Sequence, residues 1–274
     1  MKSAILWTLT IVITLGAAYY QRKTGPTYPK QVSVNINDTV YKLKLVRSIA
    51  LDERSEVRLK INDPSINAKI HYRRFNVEEE YQTVDFSRDE NGLFAPLPQQ
   101  PAAGKLQYYL EIYNSKGTQL LNKEEPIVIR YKGGVPGFVL IPHVLIMFVA
   151  MLFSTLAGLM ALVKLPLYKK YALWTLILLA AGGMILGPLV QNYAFGELWT
   201  GVPFGWDLTD NKTLISFLFW ILAVYMNRKT DRPIYTIIAA VVLLLVYSIP
   251  HSLFGSQLDY ASGQVTQGMI LNFF

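Results

Sequence analysis

The sequence predicts a membrane α-helical bundle joined to an all-β sandwich. Three observations predict it. Apolar residues make up 52% of the 274-residue chain and gather in long uncharged blocks. Most of the charge lies between Arg22 and Lys132. Inside that charged stretch the apolar pattern repeats every two residues, as strands do. The blocks outside it match the length of a bilayer span, about 20 apolar residues at 1.5 Å each. The expected order is an N-terminal transmembrane anchor over residues 1–22, an extracytoplasmic immunoglobulin- or fibronectin-like domain over 30–132, four further transmembrane helices within 136–252, and an extracytoplasmic tail over 253–274.

The first block, residues 4–20, has two readings. Lys2, the apolar run and the small residues Gly16 and Ala18 fit a cleaved signal peptide as well as a retained anchor. The anchor reading is adopted, and either one leaves the next domain outside.

From Val32 onward the period of two is explicit in Val32-Val34-Ile36, Tyr41-Leu43-Leu45, Val57-Leu59-Ile61, Ile70-Tyr72, Leu106-Tyr108-Leu110-Ile112 and Ile127-Ile129-Tyr131. Turn residues separate these runs at Asn37-Asp38, Asn62-Asp63-Pro64, Asn91-Gly92, Ala103-Gly104 and Ser115-Lys116-Gly117. Short strands at this spacing indicate a sandwich. His71 alternates with Ile70 and Tyr72 and therefore faces away from the core, in a surface or cross-strand role. The domain has no nucleophile–base pair, so it is expected to bind or dock rather than catalyse, and the chain is not expected to be an enzyme.

Four further spans are expected at 138–163, 171–190, 213–226 and 233–249, the third of them lengthened by a cap at Asp210. Gly182, Gly183 and Gly158 permit close helix approach, and Gly187-Pro188 should kink the span that holds it. Lys164, Lys169 and Lys170 lie in one connecting loop, and Arg228, Lys229 and Arg232 in another. The loop over 191–211 has acids and no basic residue. Basic loops face the cytoplasm. The chain is therefore expected in a bacterial cytoplasmic membrane with its N-terminus inside, and with the β domain and C-terminus on the periplasmic side. No charged residue falls inside the spans so bounded, and no internal repeat is present, which argues against a transporter.

The net charge of +7 does not imply nucleic acid, because the basic residues either mix with acids or flank apolar blocks. The chain has no cysteine, which excludes disulfides, thiolate metal sites and covalent c-type haem attachment. Histidine is the strong neutral ligand that remains, and there are three. Two of them sit in matching tripeptides, Ile141-Pro142-His143 and Ile249-Pro250-His251. Antiparallel spans bring both to one membrane depth, and an intramembrane histidine is a site candidate. The competing reading is two interfacial rings bonded to backbone carbonyls or lipid headgroups.

On the same side lies a Gly- and Pro-rich loop with Trp199, Phe204, Trp206 and Asp207, suited either to an interfacial aromatic belt or to a planar ligand. Asp207 and Lys212 can pair with one another. The stretch after His251 returns Asp259 and Tyr260 to that surface. Met147 and Met151 follow His143 at helical spacing, a pattern that core packing explains and that copper(I) also favours.

The segment over 196–225, with Trp-Thr-Gly, Phe-Gly-Trp-Asp and Leu-Ile-Ser-Phe-Leu-Phe-Trp, resembles the tryptophan-rich WWD segment of haem-handling proteins in cytochrome c assembly. It departs from that pattern in its sparse tryptophans, in Leu208-Thr209-Asp210 after the aspartate, and in having fewer spans. The domain order also resembles that of a group of bacterial membrane proteins with an extracytoplasmic Ig-like domain. The first resemblance implies a haem cradled by Trp199, Trp206 and Asp207, with His143 and His251 as axial ligands. Haem b is one expectation. Copper or zinc on His143, His251 and Asp259 (or Asp207) is another, and no cofactor at all is a third. Expected partners are the lipid bilayer and a membrane-protein complex. In the alternative function, a non-catalytic accessory or scaffold subunit docks such a complex through its β-sandwich.

Overall fold

The computed structural model describes residues 2–36, 39–251, 253 and 255–266. The expected turn at Asn37-Asp38 lies outside the described residues, as do Ser252, Phe254 and the last eight positions of the tail. The fold is mixed, with helices and β-sheets segregated into two units.

The β unit comprises Thr27–Gly134 together with Ser256–Thr266. Its strands are β1 (Lys30–Ile36), β2 (Thr39–Leu45), β3 (Ser48–Ala50), β4 (Glu56–Leu59), β5 (Asn67–Arg74), β6 (Gln82–Asp85), β7 (Ser87–Asp89), β8 (Gly92–Pro96), β9 (Lys105–Asn114), β10 (Gly117–Leu121) and β11 (Ile127–Lys132). A six-stranded sheet runs β3-β11-β9-β5-β6, with β10 also paired to β9. A three-stranded sheet runs β4-β8-β7, and β1 and β2 form a hairpin. The pairing is antiparallel except for β3 beside β11.

Alternation decides which side chains meet. Val34 and Ile36, Leu43 and Leu45, Val57 and Leu59, Ile70, Leu93, the even positions 106 to 112 of β9, and Ile127, Ile129 and Tyr131 all enter one buried core. Each fully buried aliphatic side chain contributes on the order of 1.5–3 kcal/mol of transfer free energy. Gly92 shows why glycine is needed at the β7–β8 turn. Its φ is +118°, and a Cβ there would lie 2.4 Å from the Leu59 carbonyl oxygen. His71 faces away from this core as expected. It stacks on Tyr109 with ring centroids 4.5 Å apart, and its nitrogens reach Glu111 Oε2 at 3.0 Å and Thr83 Oγ1 at 2.8 Å.

The tail corrects the expected domain plan. Residues 256–266 are not a separate tail but part of the β unit, as the hairpin of β12 (Gln257–Leu258) and β13 (Val265–Thr266). Leu258 is buried, and its N–H donates to the Ala103 carbonyl at 3.0 Å. The Tyr260 hydroxyl lies 3.0 Å from the Lys105 N–H, the Lys105 carbonyl and Gln100 Oε1. Strands of two residues carry too little periodicity to be read in sequence; side-chain anchors place them.

The helical unit contains α1 (Lys2–Thr24), α2 (Gly137–Leu162), α3 (Tyr168–Leu179), a π-helical segment at Ala180–Leu186, α4 (Gly187–Phe195), α5 (Leu208–Asn227) and α6 (Pro233–Ser248). Helices Ser3–Thr24, Gly137–Leu162 and Tyr168–Phe195 are long and apolar enough to cross a membrane. Helix α6 is apolar but shorter, with 16 residues. Helix α1 packs on α2 and α6 through Leu6, Thr10 and Thr14, a stripe at i, i+4, i+8. The ring of Trp7 meets Tyr171 edge-on at 5.9 Å.

The expected small-residue contacts are present. A Cβ on Gly158 would lie 2.6 Å from Ala240 Cβ, one on Gly182 would lie 2.9 Å from Met147 Sδ, and one on Gly183 would lie 2.9 Å from Thr213 Cγ2. Met147 thus packs against glycine, and Met151 is buried. Near Gly187-Pro188 the expected kink takes the form of the π-helical segment. Pro188 has no N–H to give the Met184 carbonyl, and the backbone widens just before it.

Candidate functional site

The helix ends sort into two groups. At one end the Tyr168 hydroxyl donates to Asn227 Oδ1 at 2.6 Å, Asn227 also receives the Arg232 N–H, and Lys169 pairs with Asp231. Both basic loops, with Lys164 and Lys170 and with Arg228 and Lys229, are at this end. At the other end lie the first turns of α2 and α5 and the last turns of α1 and α6. There the structure gathers both candidate histidines.

His143 stands in the second turn of α2, directly after Pro142. Its Nδ1 is 2.9 Å from the Gly182 carbonyl oxygen. That carbonyl already accepts the Gly187 N–H in the π-helical pattern. An oxygen acceptor requires Nδ1 to carry the proton, so in the neutral ring the lone pair is on Nε2. His251 follows the end of α6, where Pro250 stops the helix. Its Nδ1 lies 2.9 Å from Gln21 Nε2, near the end of α1. In this orientation the amide donates and the ring proton is on Nε2. With the amide turned over, Nδ1–H donates to Oε1 and Nε2 is free to ligate. The two rings are within electrostatic range of each other and of Lys212. Among the described residues no protein group is hydrogen-bonded to Nε2 of either ring.

The loop before α5 takes a form that the sequence did not disclose. Asp207, not Asp210, is the N-cap of α5. Its backbone is extended, and Oδ1 accepts from the Thr209 N–H at 2.8 Å and the Asp210 N–H at 3.1 Å. Asp210 sits inside the first turn, where Oδ2 accepts from the Thr200 N–H at 2.6 Å and the Thr200 hydroxyl at 3.2 Å. Asn211 Oδ1 accepts from the Val202 N–H, and Gln191 Nε2 donates to Thr200 Oγ1. The expected cap at 210 failed because a helix start is decided by which carboxylate faces the free N–H groups. Only the loop conformation sets that.

These contacts sort the candidates. His143 and His251 stand at the same end of the helical unit, within electrostatic range of each other. Asp207 is 5% exposed and its carboxylate holds the helix start, so it is a cap rather than a ligand cradle. The Trp199 indole N–H donates to the Val202 carbonyl, and its ring lies against Gly201. Trp206 and Phe204 are 70% and 81% exposed on the loop. Asp259 belongs to the β unit, where it caps its own turn through the Ala261 N–H and the Ser262 hydroxyl.

Gln21, beside His251, was missed. Lys212 was expected to pair with Asp207, but it enters α5 and no ion pair joins the two among the described residues. The lysine side chain is buried, and Nζ donates to the Ile249 carbonyl at 2.8 Å. Gln21 had no signal in the sequence, since its contact is with a residue 230 positions away.

His143 offers Nε2 as it stands and His251 offers it with the Gln21 amide turned over; in that state the two imidazoles would hold a b-type haem. A closed zinc site needs four donors, and among the described residues no group of three His, Asp or Glu side chains converges. No protein-family model matches the chain, and no curated protein matches it.

Proposed function

We propose that this chain is an integral protein of the bacterial cytoplasmic membrane that holds a b-type haem between His143 and His251, in the service of respiration or cytochrome assembly. The observation that carries the reading is the His143–Gly182 hydrogen bond. It turns the ring so that Nε2, the usual ligating atom, is the one with a lone pair. A ligating histidine commonly donates its other ring N–H to a carbonyl or carboxylate oxygen, as His143 does to Gly182. Haem is preferred over zinc or copper because it asks the protein for two axial donors rather than a closed set. When bound, haem supplies one-electron chemistry; the chain supplies the ligands, their orientation and a low-dielectric surround.

In the proposed topology all five helical segments span the bilayer. The basic loops face the cytoplasm, and the histidine end and the Ig-like β unit face the periplasm. The distribution of Lys164, Lys169, Lys170, Arg228, Lys229 and Arg232 supports this orientation.

The test is the absorption spectrum and metal content of the full chain purified in mild detergent. A Soret band that is lost in both His143→Ala and His251→Ala is the expected result. Protein with neither a Soret band nor stoichiometric metal, also after incubation with haem, would defeat the reading and leave the partner-docking function as the better one.

A further inference from the structure

Lys212 is the buried cation at the histidine end. The residue is 5% exposed and sits one turn into α5, yet its ammonium group has a single hydrogen-bond partner among the described residues, the Ile249 carbonyl. That carbonyl ends α6 two residues before His251, so the ammonium stands beside the histidine group. An ammonium has three N–H donors. A charged side chain within a membrane helix is costly unless it is paired, and marks a site by default.

The nearby acids do not complete it. Asp207 Oδ1 accepts from the Thr209 and Asp210 N–H groups and Asp210 Oδ2 from Thr200, and among the described residues no ion pair within 4 Å joins Lys212 to either acid. Asp207 is close enough to act on Lys212 through space, but it does not take up the two remaining N–H groups. Packing alone would be served by methionine or leucine. What the ammonium adds is a charge and two donors beside the proposed ligand.

We propose that Lys212 is the counter-ion for a carboxylate of the ligand held by His143 and His251, a porphyrin propionate in the haem reading on which this inference rests. The imidazoles hold the metal, and the lysine decides which edge of the macrocycle turns inward. A ligand without an acidic edge forfeits this contact.

The test uses the full chain in detergent, titrated with ferric protoporphyrin IX and with its dimethyl ester, in which both propionates are neutral. The parent protein is expected to bind the free acid about tenfold or more tightly than the ester, the scale of one charge-assisted hydrogen bond. Lys212→Gln should remove that preference by weakening the acid alone. Lys212→Arg should retain most of it. The ester serves as an internal control, because a variant that still binds it has kept the site. Equal binding of acid and ester by the parent overturns the role of Lys212 and leaves the haem reading intact. Equal weakening of both by Lys212→Gln shows a structural lysine and also overturns it. Binding of neither porphyrin by the parent overturns the haem reading and this inference together.

Discussion

His143 Nδ1 donates to the Gly182 carbonyl at 2.9 Å, joining the first turns of α2 to the π-helical segment that follows α3. The bond depends on close approach of two backbones, and Gly182 permits it because a Cβ would lie 2.8 Å from Ile146 Cγ2 and 2.9 Å from Met147 Sδ. Gly182→Ala should therefore cost about 1–3 kcal/mol through overpacking. The expected result is a lower thermal midpoint in detergent together with weaker haem retention. An alanine variant unchanged in both would show that the contact is loose.

Gln21 and His251 make a second prediction. If Gln21 Oε1 holds the proton on Nδ1, with the amide turned over, Gln21→Ala should weaken haem binding by about tenfold or more, the usual effect of losing the hydrogen-bond partner of a metal-ligating histidine. Gln21→Glu should bind at least as well as the parent, since a carboxylate can only accept and therefore keeps the proton on Nδ1. Porphyrin titration measures both. Equal affinities across the three proteins would remove Gln21 from the site.

Asp207 tests cap against cradle. Asp207→Ala should lower stability by about 0.5–2 kcal/mol, and Asp207→Ser, which restores a side-chain acceptor, should recover most of the loss. Unfolding midpoints in detergent give the comparison. A serine variant as unstable as the alanine would mean that the charge, rather than the cap, matters.

Lys105 gives the β unit a pH dependence. Burial first, and the neighbouring Arg130 charge second, lower its ammonium from 10.5 to about 8. Between those values the unfolded chain binds more protons than the folded one, so stability rises with pH through that window. Below about pH 8 the full cost of the buried charge is present. Lys105→Met should thus stabilise the protein near neutral pH by up to about 3 kcal/mol, less whatever the bond to Gln257 contributes. The gain should shrink as pH approaches about 10. Unfolding followed by circular dichroism at both pH values checks it; a gain that persists at the higher pH contradicts the assignment.

Tyr260 anchors the β12–β13 hairpin to the Lys105 backbone and Gln100. Tyr260→Phe keeps the ring beneath Arg74 but leaves these polar groups without the hydroxyl, at a cost of about 1–3 kcal/mol. Hydrogen exchange should accelerate at the Leu258 and Gly263 amides and spare the centre of β9. No change at Leu258 would show that its bond to Ala103 suffices alone.

Much of the fold was legible because two periods are hard to mimic. The alternation in Leu106-Tyr108-Leu110-Ile112 became the interior face of β9, and the apolar blocks became helices, with α5 starting at Leu208 rather than Thr213. The short strands β6 and β10 were not legible, since their exposed faces carry no pattern. Half of the candidate site was legible in the same sense. The paired Pro-His tripeptides stand at helix ends, and antiparallel chain direction brings such ends together. The cap at Asp207 was placed on Asp210 because short polar side chains bond to whatever backbone the local turn presents, and sequence spacing does not report that choice.

What the chain determined by itself was the segregation into an alternating β unit and apolar helices, and the gathering of His143 and His251 at one end. Hydrophobic periodicity and helix length act through near neighbours, so they can be read along a line. The tertiary structure alone decided that Gly182 and Gln21 orient the two rings, that Asp207 caps α5, and that Lys212 is buried beside them. Those outcomes depend on hydrogen bonds between residues far apart in sequence, and such bonds form only where packing brings one donor to one acceptor within about 3 Å.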